Sequence, residues 1–296
     1  MQNEPKGPQT EEESRVRALN LQGLFLERWV EDTVRRTDHW GVVAPNVPVD
    51  FDGPYGRQDG EIDVLAERGG KQLRVTVPIE CKKHNPNFIE WVFFEKLYRE
   101  VLVAKRHDRV EHASGVSTIR SGSVRLNLDG PMTFEARELR GKYADYKAHD
   151  NTKTANDAIR SAAQQVALAH QALVQADVRT ASVGEVPRDR MESRIFLPMI
   201  VTTAHLTTAK VDPALIDAET GEIPLDGLRF EKRTSVVYEY PLPPKLQTDK
   251  TLVLPTGELS DAGHRLHVLV VHSGELPKVL AQITEDIQAH TFLLER

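Results

Sequence analysis

Cysteine is almost absent from this chain of 296 residues: Cys81 is the only one. No disulfide can close within the chain, and no cysteine-based zinc site can form. That fits a reducing compartment. The chain has no uninterrupted apolar run of about 18 residues, the length a membrane-spanning helix needs, so no membrane association is expected. Residues 1–9 read as a disordered segment. The stretch from Met1 to Glu13 is polar and acidic and lacks the apolar core of a secretory leader, so the expected location is the cytoplasm. Basic excess is also missing, with a formal net charge of −6. This argues against a protein that coats nucleic acid non-specifically, although a local basic groove can coexist with an acidic remainder. There is no internal repeat and no long linker. No Gly-x-Ser-x-Gly or phosphate-loop motif supports a hydrolase of those kinds in the second half.

What is present is a globular composition, 40% apolar and 28% charged, in a chain long enough to bury a large core. Residues 10–296 read as a single α/β domain with a central mixed β-sheet flanked by helices. Its core spans about residues 15–180, and the C-terminal part, about 181–296, is an elaboration. Thr10 and Glu13 have the spacing of a capping box. Val16, Leu19, Leu26, Val30 and Val34 then recur at helical spacing, with Phe25 and Trp29 beside them. The pattern predicts one helix to about Arg36, with Gly23 inside it at some cost in propensity. A strand-like stretch over 41–50 is broken by Pro45 and Pro48, and the Gly- and Asp-rich segment 52–60 reads as a loop. Two strands follow, Glu61 to Ala66 and Leu73 to Lys82, joined as a hairpin through Arg68-Gly69-Gly70-Lys71.

Downstream, Asn85-Pro86-Asn87 reads as a turn and Asn87 as a helix cap. The predicted helix starts with Phe88, Ile89, Trp91, Val92, Phe93 and Phe94, apolar nearly all round and so buried. Its continuation from Lys96 to Arg109 is basic. A hairpin around Gly122 is read within 112–151. A helix is expected over 152–177, with Ile159, Ala162, Ala163, Val166, Ala169 and Leu173 inward. Strands are expected at Ile195 to Ala204, Ser235 to Tyr240 and His267 to His272, then a last helix from Pro277 to His290.

The strand Leu73 to Lys82 alternates. Val75, Val77, Ile79 and Cys81 share one face, directed to the core, and Thr76, Pro78, Glu80 and Lys82 share the other. A carboxylate and an ammonium thus lie on one face, roughly 7 Å apart along the strand. Charges at the edge of an apolar core are costly unless they pair or bind a metal. On the preceding strand Glu61 and Asp63 share a face, with Ile62 and Val64 opposite. A hairpin brings Asp63 toward Glu80, by an amount that depends on the turn. A tight Gly69-Gly70 turn leaves it a few residues short, and a looser one over 67–72 brings it closer. Two carboxylates and a lysine on adjacent strands suit phosphodiester chemistry. The carboxylates supply hard oxygen ligands for Mg²⁺ or Mn²⁺, and the lysine can orient a water or stabilise developing charge.

Asp63 followed by Glu80-Cys81-Lys82 resembles the PD-(D/E)XK, or restriction endonuclease-like, nuclease superfamily. The resemblance covers about residues 15–110. It includes the order of a glutamate-bearing helix, a loop, Gly60-Glu61-Ile62-Asp63, a hairpin and Ile79-Glu80-Cys81-Lys82. It departs from the family pattern in having Ile62, not proline, before Asp63. It implies that Asp63 and Glu80 bind Mg²⁺ or Mn²⁺, joined by the Cys81 carbonyl, and that Lys82 is catalytic. A glutamate on the first helix supports such sites, and Glu27 is preferred over Glu31. Gln164 or Gln165 can be the counterpart of a downstream glutamine that some members carry, and Gln164 is taken as a candidate nucleic-acid contact. The implied activity is metal-dependent hydrolysis of nucleic acid, DNA before RNA, in prokaryotic defence, restriction or repair, with a homodimer as one arrangement.

Other readings of the same residues stand beside this one. Glu80 and Lys82 can be a plain charged pair at a strand end, and Glu27 a solvated helix residue. Cys81 reads as a small buried hydrophobe rather than a nucleophile. Lys83 and His84 follow the motif and could touch phosphate or be ordinary surface residues. Lys96, Arg99 and Arg106 could track a DNA backbone or form a solvated face. His264, His267 and His272 have spacing that suits no metal site, and Trp91, Phe93 and Phe94 belong to a core. The alternative to an enzyme is an inactive protein on the same fold that binds nucleic acid or a protein.

Overall fold

A computed structural model describes residues 10–21, 23–70, 73–84, 89–96, 101–111, 117–140, 157–181, 192–247 and 264–294. It is a mixed α/β structure built on one large sheet. Two N-terminal helices, α1 (Glu11–Leu21) and α2 (Leu24–Arg36), replace the single helix expected. The capping box forms: Thr10 Oγ1 accepts from the Glu13 amide at 3.2 Å, and Glu13 Oε2 accepts from the Thr10 amide at 2.8 Å. The helices part at Gly23, whose carbonyl accepts from the amides of Leu26 (2.8 Å) and Glu27 (3.2 Å) and so starts the second helix. Glycine is among the weakest helix formers, and here its cost is settled by a break. Leu26, Val30 and Val34 of α2 are buried, whereas Val16, Leu19, Phe25 and Trp29 are exposed.

Strands β1 (Trp40–Gly53) and β2 (Gly56–Gly69) form one long antiparallel ribbon. The expected loop over 52–60 is thus a continuation of both strands, closed by a turn between the paired Gly53 and Gly56. Glycine and aspartate there mark a solvated ribbon end, not an irregular segment. Pro45 and Pro48 do not break β1, because its single ladder runs to β2 and its other edge needs no amide donors. Strand β3 (Leu73–Lys82) pairs antiparallel with β2 over Gly69–Arg74 to Val64–Ile79. Beyond it come β4 (Ile89–Glu95), β5 (Leu102–Glu111), β6 (Ser117–Leu126), β7 (Met132–Arg140), helix α3 (Asp157–Ala181), β8 (Glu192–Phe196), β9 (Met199–Thr202), β10 (His205–Val211), β11 (Leu228–Arg233), β12 (Ser235–Pro241), β13 (Arg265–His272) and helix α4 (Leu276–Leu294). The sheet order is β11-β10-β4-β7-β12-β13-β9-β3-β8-β5-β6, with β2 also on β3 and β1 on β2.

Several expectations are corrected here. The segment Ile89–Glu95 is a strand, not the start of a helix, and 102–111 is a strand as well; the Asn87 cap and Arg99 lie outside the described residues. A short run of Ile, Trp, Val and Phe is ambiguous by periodicity alone, and β-branched and aromatic residues favour strands once neighbours exist to pair with. Those neighbours are β7, antiparallel, and β10, parallel. Gly122 is not a hairpin turn but an interior residue of β6, opposite Arg106 of β5. The strand expected over 195–204 is split at Leu197-Pro198 into β8 and β9, both parallel to β3 on the edge away from β2. Pro198 has no amide to donate, and the pairing with β3 lapses around it, between Thr76–Phe196 and Ile79–Met199. The helices expected near 152–177 and 277–290 and the strands at 235–240 and 267–272 are present as α3, α4, β12 and β13.

The sheet separates two apolar cores. Val75, Val77, Ile79 and Cys81 join α2 and α4 on one face; Ile200, Trp91 and Phe93 join α3 on the other. Ile62 and Val64 would share a face in a flat strand, yet Ile62 lies in the α3 core and Val64 in the other. The ribbon therefore turns over at Asp63, where β2 leaves β3 and curls toward α3. The close approach shows at Gly60, where a Cβ would meet the Leu168 side chain of α3.

At the far end of the ribbon, a Cβ on Gly53 would overlap the Lys245 carbonyl oxygen. Gly53→Ala is therefore expected to lower stability by roughly 1–3 kcal/mol in urea titrations, since neither backbone can yield cheaply. An unchanged midpoint would mean the ribbon end moves freely.

Candidate functional site

The ladder between β2 and β3 ends at Val64 and Ile79. The next residues outward are Asp63 and Glu80, so the register sets the two carboxylates across from one another. The turn is neither of the two expected: Glu67, Arg68 and Gly69 are all paired, Gly69 with Arg74, and the Gly70 amide donates to the Leu73 carbonyl at 3.0 Å, so the ladder runs past both glycines. Asp63 Oδ2 accepts from the Cys81 amide at 2.6 Å, which ties the departing strand to β3. The end of β3 is held from its other edge, where the Lys82 carbonyl accepts from Thr202 Oγ1 at 2.9 Å and from the Thr203 amide at 3.3 Å.

Glu80 is 1% exposed. Its Oε1 lies 2.5 Å from Lys82 Nζ, and its Oε2 is buried with no hydrogen-bond partner. Lys82 Nζ also donates to Gln165 Oε1 of α3 at 3.0 Å. The glutamine that meets the lysine is thus Gln165, not Gln164, because neighbouring helix residues point about 100° apart. Burial, then repulsion from Asp63, pushes the Glu80 carboxyl up to about 7, against the pull of Lys82. Burial likewise raises Asp63, opposed by the Cys81 amide and Lys82. Glu27, half-buried on α2, is raised by burial and then by Asp63.

Glu27 and Glu31 are distinguished by their partners. Glu31 is buried in ion pairs with Arg28 (2.8 Å) and Arg35 (2.6 Å) on its own helix. Glu27 interacts electrostatically with Asp63, Glu61 and Lys82. A shallow depression is lined by Glu27, Arg28, Glu31, Pro45, Asn46, Asp63 and Val64. Asn46 was not singled out by sequence; the signal for it is a residue tolerant of left-handed backbone between two prolines.

The remaining candidates lie elsewhere. Lys83 donates through Nζ to the Asn20 carbonyl of α1. His84 is half-buried, its ring edge-on to Trp91 at 5.3 Å. The basic residues once placed on one helix face are dispersed: Lys96 pairs with Glu239, and Arg106 pairs with Asp108 at 2.7 Å. His267 Nδ1 accepts from the Val103 amide at 3.0 Å, and His272 stacks on His205 at 6.3 Å. Cys81 is buried, and burial drives its thiol well above the ordinary value, which makes it inert as a nucleophile.

Among the described residues, no three His, Cys, Asp or Glu side chains converge closely enough to hold a metal ion. No described helix is long and apolar enough to cross a membrane. No protein-family model, curated protein or solved structure matches the chain.

Glu80 sets a pH dependence. A carboxyl whose pKa rises on folding binds its proton more tightly when folded. Its contribution is fully present below the ordinary value of about 4.5 and is lost as pH rises through about 7. In the presence of a chelator, Glu80→Gln should be more stable than wild type near pH 8, by on the order of 2 kcal/mol. The gap should close near pH 4. Urea titrations at both pH values check this, and a variant less stable at pH 8 would show that the Lys82 pair outweighs burial.

Proposed function

We propose that this chain is a metal-dependent nuclease with a restriction endonuclease-like core, acting on nucleic acid, DNA before RNA. The observation that carries the reading is the buried, unpartnered Glu80 Oε2 opposite Asp63. A buried carboxylate oxygen without a partner is costly, and Asp63, which raises the proton affinity of both Glu80 and Glu27, marks a place where a divalent cation would offset the repulsion. Two carboxylates with water completing the shell is an ordinary Mg²⁺ donor set. Asp63, Glu80 and the Cys81 carbonyl would hold Mg²⁺ or Mn²⁺, which when bound supplies Lewis-acid stabilisation of charge on a phosphodiester. Glu27 supports the same centre from α2.

The chain's own contributions follow from its geometry. Lys82 Nζ, held by Glu80 and Gln165, would direct its remaining proton toward the attacking water or a non-bridging oxygen. Hydrolysis forms one P–O bond to water and breaks one to the leaving oxygen, which gains the proton. The Asp63–Cys81 amide bond fixes the carboxylate before substrate arrives.

A second reading has its own support. The depression is lined by Glu27, Glu31 and Asp63 with Arg28 as its one cation, and Glu80 is covered and paired with Lys82. An inactive nuclease-fold protein that binds a partner would look the same in these respects. The assay that separates them uses plasmid, linear duplex, single-stranded DNA and RNA with Mg²⁺ or Mn²⁺. Metal-dependent cleavage should fall by at least roughly hundredfold in both Asp63→Asn and Lys82→Ala. Added Mn²⁺ should raise the melting temperature of wild type more than that of Asp63→Asn. A folded wild type that cleaves nothing and gains no stability from Mn²⁺ rejects the nuclease reading.

A further inference from the structure

Among the described residues, Asn46 is one of two non-glycine residues with positive φ, at +49°. The other, His39, lies in the turn before β1, whereas Asn46 is inside the strand. Pro45 pairs with Val64 and Val47 with Ile62, so Asn46 falls opposite Asp63. Left-handed backbone costs most L-residues roughly 1–2 kcal/mol, and asparagine is one of the few that adopt it readily. Here it comes at the point where the ribbon turns over, and the side chain lines the same depression as Glu27 and Asp63.

The lining has one conspicuous chemical property. Glu27, Glu31 and Asp63 repel a phosphate, and Pro45 and Val64 have no side-chain donor. Arg28 donates through Nη1 to Glu31 at 2.8 Å and is otherwise exposed, so it brings positive charge to the rim of the depression. The Asn46 amide is exposed and forms no hydrogen bond with any described residue. It is thus the neutral side-chain donor in an acidic depression, beside the Arg28 guanidinium, and it adds no charge beside the carboxylates.

We propose that Asn46 is the substrate-contact residue of this site, its amide N–H donating to a non-bridging oxygen of the phosphodiester that lies over Asp63. This rests on the nuclease reading and names the group that receives the substrate phosphate. The left-handed backbone serves to aim the amide out of the pleat of β1, where an extended residue would place it along the sheet normal.

Two variants separate the side chain from the backbone. Asn46→Gly keeps left-handed backbone at no steric cost and removes the amide. Asn46→Asp keeps the shape but has no donor when ionised. The readouts are melting temperature, affinity for a fluorescein-labelled duplex oligonucleotide with Ca²⁺ in place of Mg²⁺, and KM and kcat for cleavage with Mg²⁺. Asn46→Gly should melt as wild type, bind the duplex about tenfold more weakly and raise KM by a similar factor. Asn46→Asp should lose at least as much affinity. Wild-type affinity and KM in Asn46→Gly overturn the proposal and leave the nuclease reading standing. So does a fall in melting temperature with affinity intact, which would make Asn46 a turn residue alone. An inert wild type whose duplex binding is weakened by Asn46→Gly supports the phosphate contact and rejects hydrolysis.

Discussion

A carboxylate with almost no access to water lies in a strand that is buried on both faces, and much of the surrounding structure answers to it. Taking Glu80 out of water carries a large penalty, which an ion pair with one lysine offsets only in part. The chain responds in three ways. Lys82 is drawn back along its own strand and steadied by Gln165. The proton affinity of Glu80 climbs toward neutrality. One oxygen is left facing no donor. A pair serving structure alone would gain by having both oxygens satisfied.

The second constraint is mechanical. β2 cannot follow β3 indefinitely, because α3 occupies the space beyond its end. The ribbon turns over at Asp63 and sends Ile62 and Val64 to different cores. Asp63 is held at this point by the Cys81 amide. Carboxylate placement is thus set by the backbone on one side and by a single hydrogen bond on the other, and neither depends on a flexible loop.

Asp63, Glu80 and Lys82 are legible in the sequence because alternation along an apolar strand reveals which residues share a face. Their proximity is not, since the two glycines suggest a turn at their own position, whereas the strands pair past them, Gly69 with Arg74. Glu27 and Glu31 look equivalent on a helical wheel; Arg28 and Arg35 decide between them. Ile89–Glu95 carries a β-rich composition that a helical reading overrode, and the strands that pair with it come from 132–140 and 205–211. Gly122 looks like a turn because glycine usually is one, and only cross-strand pairing reveals otherwise. Asn46 gives a weak local signal because its backbone geometry follows from the bend at Asp63, across the ribbon.

The arrangement of β3 between β2 and β9 sets an order of assembly. Lys82 and Thr202 are 120 positions apart, so the strand bearing the site gains its second neighbour only after a long intervening segment has emerged. Until then, one edge of an apolar strand presents unpaired amides and carbonyls. Long-range pairing of this kind is slow and open to association with other chains. A nascent chain of this protein therefore passes through a window in which the strand bearing the candidate site has an open edge, and holding that edge apart until residues 192–202 dock is a task suited to a chaperone.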